Sequence, residues 1–307
     1  MCAAIEWNSQ LIKRYGQAAL IGGSYPQNTR LHRGVAAMDL LRAMRSSRQA
    51  QRPLSLSVQL PVAGDLGVYL KHLAREIDML GCHLGSAQRI EQLHLSGGLP
   101  NAVELNCLMK QLQQRCNFQP TVGGDNSIDI DPSNSSWATM GLLCQQGFNR
   151  VSIGVPDSSP TNGRSMVDFQ SPRQTRSLID AARALDFRSV NIDLGYGRAW
   201  QTTSSFARKV AAIIELQPSR VRVFDYAHPP RRYSVLQRRL ASGFAAQADK
   251  RIMRRHAVEQ LLAAGYGYIG LGQFALADDE LAAAQENGQL HYSCQGFSRL
   301  ACDHLGL

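Results

Sequence analysis

The chain lacks long hydrophobic runs, paired cysteines and clustered metal ligands, and each absence excludes a class of protein. No run of about 18 apolar residues occurs, and the N-terminus has no basic region followed by an apolar stretch, so neither a membrane span nor a signal peptide is predicted and we expect a cytoplasmic protein. No His or Cys pair has the spacing of metal ligands, so no metal site is predicted.

The seven cysteines are widely spaced, odd in number and without a CxxC pair. This pattern is typical of reduced thiols rather than of disulfides. Cys107 and Cys144 fall on the apolar stripes of predicted helices, where a thiol behaves as a small hydrophobic group.

Positive charge is in excess, with a formal net charge of +9. It is concentrated in the segment 231–255, where eight Arg or Lys residues accompany a single acid, Asp249. Such a run favours an anionic partner, although a solvated helix face has the same composition. The segment contains only two aromatic residues, Tyr233 and Phe244, and no recognised nucleic-acid-binding motif, so a nucleic acid is the less favoured partner.

Seven short aliphatic or β-branched runs, each followed by a turn and most by an amphipathic segment, predict strands alternating with helices. They are Leu54–Leu60, Ile90–Leu95, Ser127–Asp131, Arg150–Val155, Ser189–Leu194, Arg220–Asp225 and Tyr266–Leu271. Helices are indicated by apolar residues spaced three and four apart, with Gly81 as an expected left-handed stop and with Gly147 and Gly265 after the ends of two further helices.

Such alternation predicts an α/β fold with right-handed crossovers and a parallel sheet, closed or partly open as a barrel. The length of 307 residues and the 44% apolar content suit one large domain. We expect an N-terminal extension over 1–53, with one or two helices, and the barrel domain over 54–307. The end at Leu307 offers no closing element, so a C-terminal portion is expected to be absent.

In parallel barrels the site lies where the strands end, and three such positions attract attention. Gly97 and Gly98 allow close approach of a ligand, or simply form a tight turn. Asp129 and Asp131 share one strand face and either contact a ligand or cap the next helix. Asp193 should share a face with Asn191 and Gly195. A lone His228 is more often structural than catalytic.

Seven phrases in order along the chain resemble the oxygen-independent coproporphyrinogen III oxidases, a branch of the radical SAM enzymes. They are RPLSLSVQLP, LHLSGGLPN, SIDIDP, GFNRVSIGVPD, NIDLGYG, FDYAHPP and IGLGQFALADDELAAAQENGQLH. The resemblance covers essentially the whole chain. It implies a partial (β/α) parallel barrel of the radical SAM type that binds S-adenosylmethionine (SAM) beside a [4Fe-4S] cluster, and oxidative decarboxylation in heme biosynthesis.

The chain departs from this family at its defining CxxxCxxC loop after the first strand. Ala63 stands where the first cluster cysteine belongs, and the segment with the other two is missing. Because three thiolates must hold such a cluster, we predict that the [4Fe-4S] cluster is absent.

Positions that match the family's SAM contacts by resemblance are Gly97, Gly98, Asp129, Asp193 and Ala227. Asp129 replaces the family's glutamate, and Ser57, Leu99, Pro156 and Phe169 depart from it further. A side chain shorter by one methylene loses a hydrogen bond to the ribose or makes it through water, which costs about 1 kcal/mol. The resemblance therefore implies weakened SAM binding.

The leading hypothesis is a catalytically inactive relative of these oxidoreductases that keeps a pocket for a tetrapyrrole or another anionic small molecule. Arg231 and Arg232 would pair with propionates, since guanidinium binds carboxylates bidentately. The alternative is a non-catalytic regulatory or partner-binding scaffold of the same pathway. The sequence also fits a decaying gene or a truncated product.

Overall fold

A nine-stranded sheet runs through the computed structural model of the chain, which describes residues 34–62, 64–84, 88–116, 118, 124–155, 172–226, 245–293 and 296–307. The strand order is β11-β1-β2-β3-β4-β5-β6-β8-β7. The strands are β1 Leu54–Leu60, β2 Ile90–Gly97, β3 Asp125–Ile130, β4 Arg150–Gly154, β5 Ser189–Tyr196, β6 Arg220–Asp225, β7 Gly267–Gly270, β8 Gln273–Ala275 and β11 Asp303–Gly306. A separate hairpin joins β9 His291–Ser293 to β10 Gly296–Ser298.

The described helices are α1 Ala37–Gln49, α2 Leu66–Gly81, α3 Ala102–Cys116, α4 Trp137–Gln145, α5 Pro172–Ala184, α6 Thr203–Glu215, α7 Gln247–Ala263 and α8 Glu280–Glu286. The six helices between β1 and β7 connect successive strands and pack against one face of the sheet, α1 precedes β1, and α8 follows β8. A 3-10 turn spans Pro132–Asn134. None of these described helices is long and apolar enough to cross a bilayer.

The first six predicted strands pair in parallel, which confirms the α/β class and the parallel sheet. The seventh run becomes β7, and the strand that follows it, β8, lies between β6 and β7 and pairs antiparallel with both. β7 therefore runs in the predicted direction, the same as that of β6, but it does not pair with β6; the antiparallel strand β8 was not predicted. A tight turn at Leu271 and Gly272 reverses the chain there, both with positive φ, so no crossover helix intervenes.

Alternation along β1 explains how the sheet divides its two faces. Leu54, Leu56, Val58 and Leu60 are at most 4% exposed and join the core against the helices. The intervening Ser55, Ser57 and Gln59 face the opposite side, because successive side chains of a strand point to opposite faces. The core therefore lies between sheet and helices, while the other face of the sheet is polar.

The predicted helix ends before Gly147 and Gly265 are confirmed. These two glycines have φ of 84° and 87°. The left-handed stop predicted at Gly81 is wrong, because Gly81 is still helical and α2 continues to the cap at Cys82. A Cβ at Gly81 would lie 2.5 Å from the carbonyl oxygen of Arg115 at the end of α3. Glycine is required there by close helix packing and not by a left-handed turn.

The described part of the predicted N-terminal extension contains one helix, α1. Its Met44 and Ser47 are buried, and Gln88 donates a hydrogen bond to the Ser47 hydroxyl over 2.8 Å. At the other end of the chain, β11 adds a parallel strand beside β1 that the sequence did not predict. The division at residue 53 stays a prediction.

Candidate functional site

The inner face of the sheet, opposite the helices, collects polar side chains from neighbouring strands. Adjacent strands place these residues side by side in the parallel register, and hydrogen bonds link several of them across the strands. They are Gln92, His94 and Ser96 on β2, Asp125, Ser127 and Asp129 on β3, Arg150 and Ser152 on β4, Asn191 and Asp193 on β5, and Arg220 and Arg222 on β6. This polar face is the natural place for a ligand in a parallel α/β fold.

Asp193 lies on this face near the carboxyl end of β5 and is 3% exposed. The Asn191 amide nitrogen donates hydrogen bonds of 2.8 Å to Asp193 Oδ1 and to the Ser152 hydroxyl. The Ser152 hydroxyl lies 3.5 Å from Asp193 Oδ2. The predicted sharing of a face by Asn191 and Asp193 is confirmed, and the amide orients the carboxylate.

Asp129 and Asp131 take different roles, because Asp129 lies within β3 and Asp131 directly follows it. Asp131 caps the 3-10 turn, since its Oδ1 accepts from the Ser133 amide over 2.9 Å and from the Ser133 hydroxyl over 2.7 Å. Asp129 stays on the inner face, where its Oδ2 lies 3.7 Å from His94 Nε2. The capping alternative is therefore correct for Asp131, and Asp129 remains a ligand candidate.

His94 is a member of this polar face that sequence reasoning missed. Its Nδ1 lies 2.8 Å from the Ser127 hydroxyl, so the imidazole bridges β2 to β3. The signal was the alternation in IEQLHLSG, which puts His94 on the same face as Ser96. His304 on β11 makes a similar contact, with Nε2 3.1 Å from the Ser57 hydroxyl, but the sequence did not indicate that strand.

Gly97 ends β2 beside Leu60, its partner at the end of the parallel strand β1, and Gly98 follows it. A Cβ at Gly97, which has φ of 97°, would lie 1.9 Å from the Leu60 carbonyl oxygen, and one at Gly98 would lie 2.3 Å from that of Pro61. The group that approaches these glycines is therefore the chain's own backbone. The tight-turn interpretation accounts for both glycines without a ligand, and their assignment to SAM stays a prediction.

Asp129 and Asp193 stand on β3 and β5 with β4 between them. Two strand spacings separate them laterally, about 10 Å. Ala227, Arg231 and Arg232 lie outside the described residues. So do the other positions compared in the sequence, namely Ala63, Pro156, Phe169 and His228. The predicted site is thus described only in part.

A network of arginines and acids at the amino ends of the strands was not predicted. Arg150 Nη2 donates to Asp125 Oδ1 over 2.9 Å and also contacts Glu280. Arg188 contacts Glu280, and Arg299 Nη2 lies 3.3 Å from Asp125 Oδ1. The network joins β3, β4, α8 and the segment after β10. Its members are up to 174 residues apart, and no local pattern indicates that they meet.

A second pair at this end joins Arg220 of β6 to Asp279, the N-cap of α8. Arg220 Nε donates to both Asp279 oxygens, at 2.9 and 2.8 Å. Burial lowers the pKa of Arg220 against the attraction of Asp279, and the charge of Arg150 lowers it further. Positive charge is therefore crowded at this end of the sheet.

Glu280 makes the stability of the protein sensitive to acid. Burial alone would raise its pKa, but the charges of Arg150 and Arg188 outweigh burial and lower it below the usual 4.5. A carboxyl with a lowered folded pKa stabilises the protein above its unfolded pKa, and this stabilisation is lost as pH falls through the folded value. We expect the midpoint temperature to fall as the pH drops below about 4.5.

Glu280→Gln tests this origin by thermal unfolding between pH 7 and pH 3. We expect the variant to be less stable than the wild type at pH 7 and to lose less stability on acidification. Glu259→Gln is the matched control, because Glu259 forms an exposed pair with Arg255 and such pairs contribute little. Equal acid slopes for wild type and Glu280→Gln would contradict the assignment.

Four of the five described cysteines lie at the amino-terminal end of the sheet. Cys82 follows α2, Cys116 ends α3, Cys144 is near the end of α4, and Cys302 precedes β11. In a βα unit the helix begins at the carboxyl end of its strand and returns to the amino end. Across the 16 residues of α2 this places Cys82 about 24 Å from the β1 exit.

The fifth described cysteine, Cys107, is exposed on α3. Its predicted place on an apolar helix face is wrong, whereas Cys144 is half-buried and its thiol points to the carbonyl of Leu185 at 3.7 Å. Burial raises the pKa of Cys116 to about 11 and that of Cys302 to about 11. Cys2 and Cys294 lie outside the described residues.

The fold and its polar inner face define a protein of the radical SAM type. The solved structure of coproporphyrinogen III oxidase (HemN) from Escherichia coli, a radical SAM enzyme, superposes with a TM-score of 0.83 and 31% identity, over 99% of this chain and 72% of that one. No protein-family model matches the chain.

Sequence comparison gives the particular family. The oxygen-independent coproporphyrinogen III oxidase of Pseudomonas aeruginosa is 41% identical over 328 residues, covering 100% of this chain and 71% of that protein. The Escherichia coli oxidase of the same description is 32% identical over 314 residues, covering 96% and 68%. The chain belongs to the family of oxygen-independent coproporphyrinogen III oxidases, as the sequence phrases indicated.

Proposed function

We propose that the chain is a cluster-less member of this heme-biosynthesis family, which performs no radical chemistry and binds a tetrapyrrole or SAM. The observation that carries the proposal is the composition of the connection after β1. Only Pro61–Asp65 separates β1 from α2, and none of these five residues is cysteine.

The positions of four of the five described cysteines support the absence of a [4Fe-4S] cluster beside the β1 exit. Three cysteines must converge on such a cluster. In the family that the sequence resembles, the CxxxCxxC loop places them in the connection after the first strand. Here Asp65 already serves as the N-cap of α2, its Oδ1 accepting from the Val68 amide over 3.1 Å. The four cysteines Cys82, Cys116, Cys144 and Cys302 lie at the opposite end of the sheet.

Two aspartates support retained nucleotide binding. Asp129 and Asp193 remain on the inner face, and Asn191 holds the Asp193 carboxylate in one orientation. Since a neutral hydrogen bond contributes about 1 kcal/mol, the shortening from glutamate to Asp129 is expected to weaken SAM binding roughly fivefold.

The basic segment supports an anionic ligand, but only part of it remains available. Lys250 is committed to Asp225 in the protein interior, and Arg255 pairs with Glu259 over 2.7 Å. Pairing with propionates is assigned to Arg231 and Arg232, with Arg238 and Arg239 of the same sequence segment as further candidates. The tetrapyrrole part of the proposal rests on these four guanidinium groups.

Anaerobic reconstitution with iron and sulfide tests the absence of the cluster. We expect no absorption in the spectral region where iron-sulfur clusters absorb, and no stoichiometric iron after desalting. The Escherichia coli oxidase treated in parallel should show both. A stoichiometric [4Fe-4S] signal in this chain would overturn the proposal.

The second candidate is a scaffold that binds another protein of the pathway. The burial of Asp193 and the contact of Gly97 and Gly98 with their own chain favour it, because both reduce the space for a ligand. Calorimetric titration with coproporphyrin III separates the two. Saturable heat at one site per chain supports ligand binding, and absence of heat with an intact folded protein supports the scaffold.

A further inference from the structure

A cavity of about 130 Å³ lies on the inner face, at the amino-terminal half of the strands. It is separate from the predicted SAM positions, since Gly97, Gly98, Asp129 and Asp193 are not among the residues that line it. It is far smaller than pockets for drug-sized ligands. A small ion fits this space, and a macrocycle does not.

The walls of the cavity are rich in arginine. Arg150, Arg220, Arg222 and Arg299 line it, together with only two carboxylates, Asp125 and Glu280. Asp279 neutralises Arg220 from behind. Even so, the guanidinium groups outnumber the acids, and Arg188 adds another positive charge through its contact with Glu280. Such an excess of buried positive charge attracts an anion.

Arg150 has donor capacity that the described residues do not use. It is 7% exposed, its Nη2 satisfies Asp125 and Glu280, and its Nε and Nη1 have no hydrogen-bond partner among those residues. A buried donor without a partner costs about 1–3 kcal/mol. An anion in the cavity would accept from this guanidinium after a small adjustment of the side chain.

The side-chain oxygen of Asn191 is a buried acceptor that receives no hydrogen bond from the described residues. The nitrogen of the same amide donates to Ser152 and Asp193, and because the Asp193 carboxylate requires a donor this fixes the amide orientation. Asn191 Oδ1 is then directed away from these bonds and has no partner among the described residues. A ligand that satisfies the cavity must therefore accept from Arg150 and donate to Asn191.

We propose that this cavity is a binding site for a small protonated oxyanion, and that hydrogen phosphate matches it best. Hydrogen phosphate offers several acceptor oxygens to guanidinium and one hydroxyl to Asn191 Oδ1. Sulfate has the same shape and lacks the hydroxyl at neutral pH. The site does not depend on tetrapyrrole or SAM binding, so its test stands apart from that of the proposed function.

Phosphate line broadening by ³¹P NMR, with sulfate as competitor at constant ionic strength, tests the wild-type protein directly. We expect saturable broadening at millimolar phosphate with one site per chain. Sulfate should displace the bound phosphate less effectively than arsenate, which also carries a proton. Absence of saturable broadening would overturn the proposal, and so would sulfate displacing phosphate as well as arsenate does.

Arg150→Lys tests the named residue, because lysine keeps the charge beside Asp125 and Glu280 but loses the guanidinium donors. We expect phosphate affinity to fall roughly tenfold, the loss of one charge-assisted hydrogen bond. Arg208→Lys, an exposed change on α6, should bind as the wild type does. Circular dichroism verifies folding, and unchanged affinity in a folded Arg150→Lys variant would contradict the site.

Discussion

Replacing Lys250 by methionine is expected to destabilise the protein by about 3–5 kcal/mol, because it removes the lysine counter-ion of a buried carboxylate. Lys250 Nζ lies 3.0 and 3.2 Å from the two oxygens of Asp225, and the two side chains are only 5% and 4% exposed. For a protein of this size the midpoint temperature should fall by roughly 5–8 °C. Thermal and urea unfolding measure both quantities.

The position of the pair explains why its loss is felt widely. Asp225 ends β6 and Lys250 lies in the first turn of α7, so the bond fixes this helix to the carboxyl end of the sheet. The aliphatic part of Lys250 packs on Gly197, where a Cβ would lie 2.8 Å from its Cε. Charge pairing and packing therefore fail together in the variant.

A double variant separates the buried charge from packing. Adding Asp225→Asn to Lys250→Met removes the buried carboxylate, and we expect recovery of a large part of the lost stability. Arg251→Met is the matched control, since Arg251 is the exposed neighbour on α7; it should change stability by less than about 0.5 kcal/mol. A double variant no more stable than Lys250→Met would contradict this account.

The sequence predicted the strands well where burial of one sheet face imposes an alternating apolar pattern. Leu54–Leu60 and Arg220–Asp225 were predicted with the bounds that the structure has, because both are bordered by polar residues or proline. The antiparallel strand β8 was not predicted, since a three-residue strand shows too little alternation to be recognised. The left-handed turn at Leu271 and Gly272 reverses the chain between β7 and β8.

The candidate site was predictable in its local part alone. Alternation within β5 correctly put Asn191 and Asp193 on one face, and a strand-end aspartate correctly offered a cap, which Asp131 provides. The contact between Arg150 and Glu280 could not be predicted from the sequence, because 130 residues separate them and periodicity carries no information on contacts at such sequence separations. The same holds for His304, whose strand follows no recognisable signal.

Gly97→Ala is expected to destabilise the protein by roughly 3 kcal/mol or more, from backbone strain and steric overlap together. The φ of 97° at Gly97 is strained for any residue with a Cβ, and the added carbon would lie 1.9 Å from the Leu60 carbonyl oxygen. Relief of that overlap requires β1 and β2 to separate where the Gly98 amide bonds to Leu60 over 3.3 Å. Urea unfolding gives the change in free energy.

Gly141→Ala is the control for the general effect of a methyl group. Gly141 lies inside α4 with no atom within 4 Å of a Cβ position, so alanine should stabilise the helix by about 0.5–1 kcal/mol. The comparison of Gly97→Ala with Gly141→Ala also decides the role of the glycine that ends β2. If Gly97→Ala stays within about 1 kcal/mol of the wild type and loses SAM binding, the glycine serves a ligand. If the free energy of unfolding falls as predicted, Gly97 serves the close approach of β1 and β2 at their ends. The presence of this glycine in the chain does not then by itself indicate a retained cofactor site.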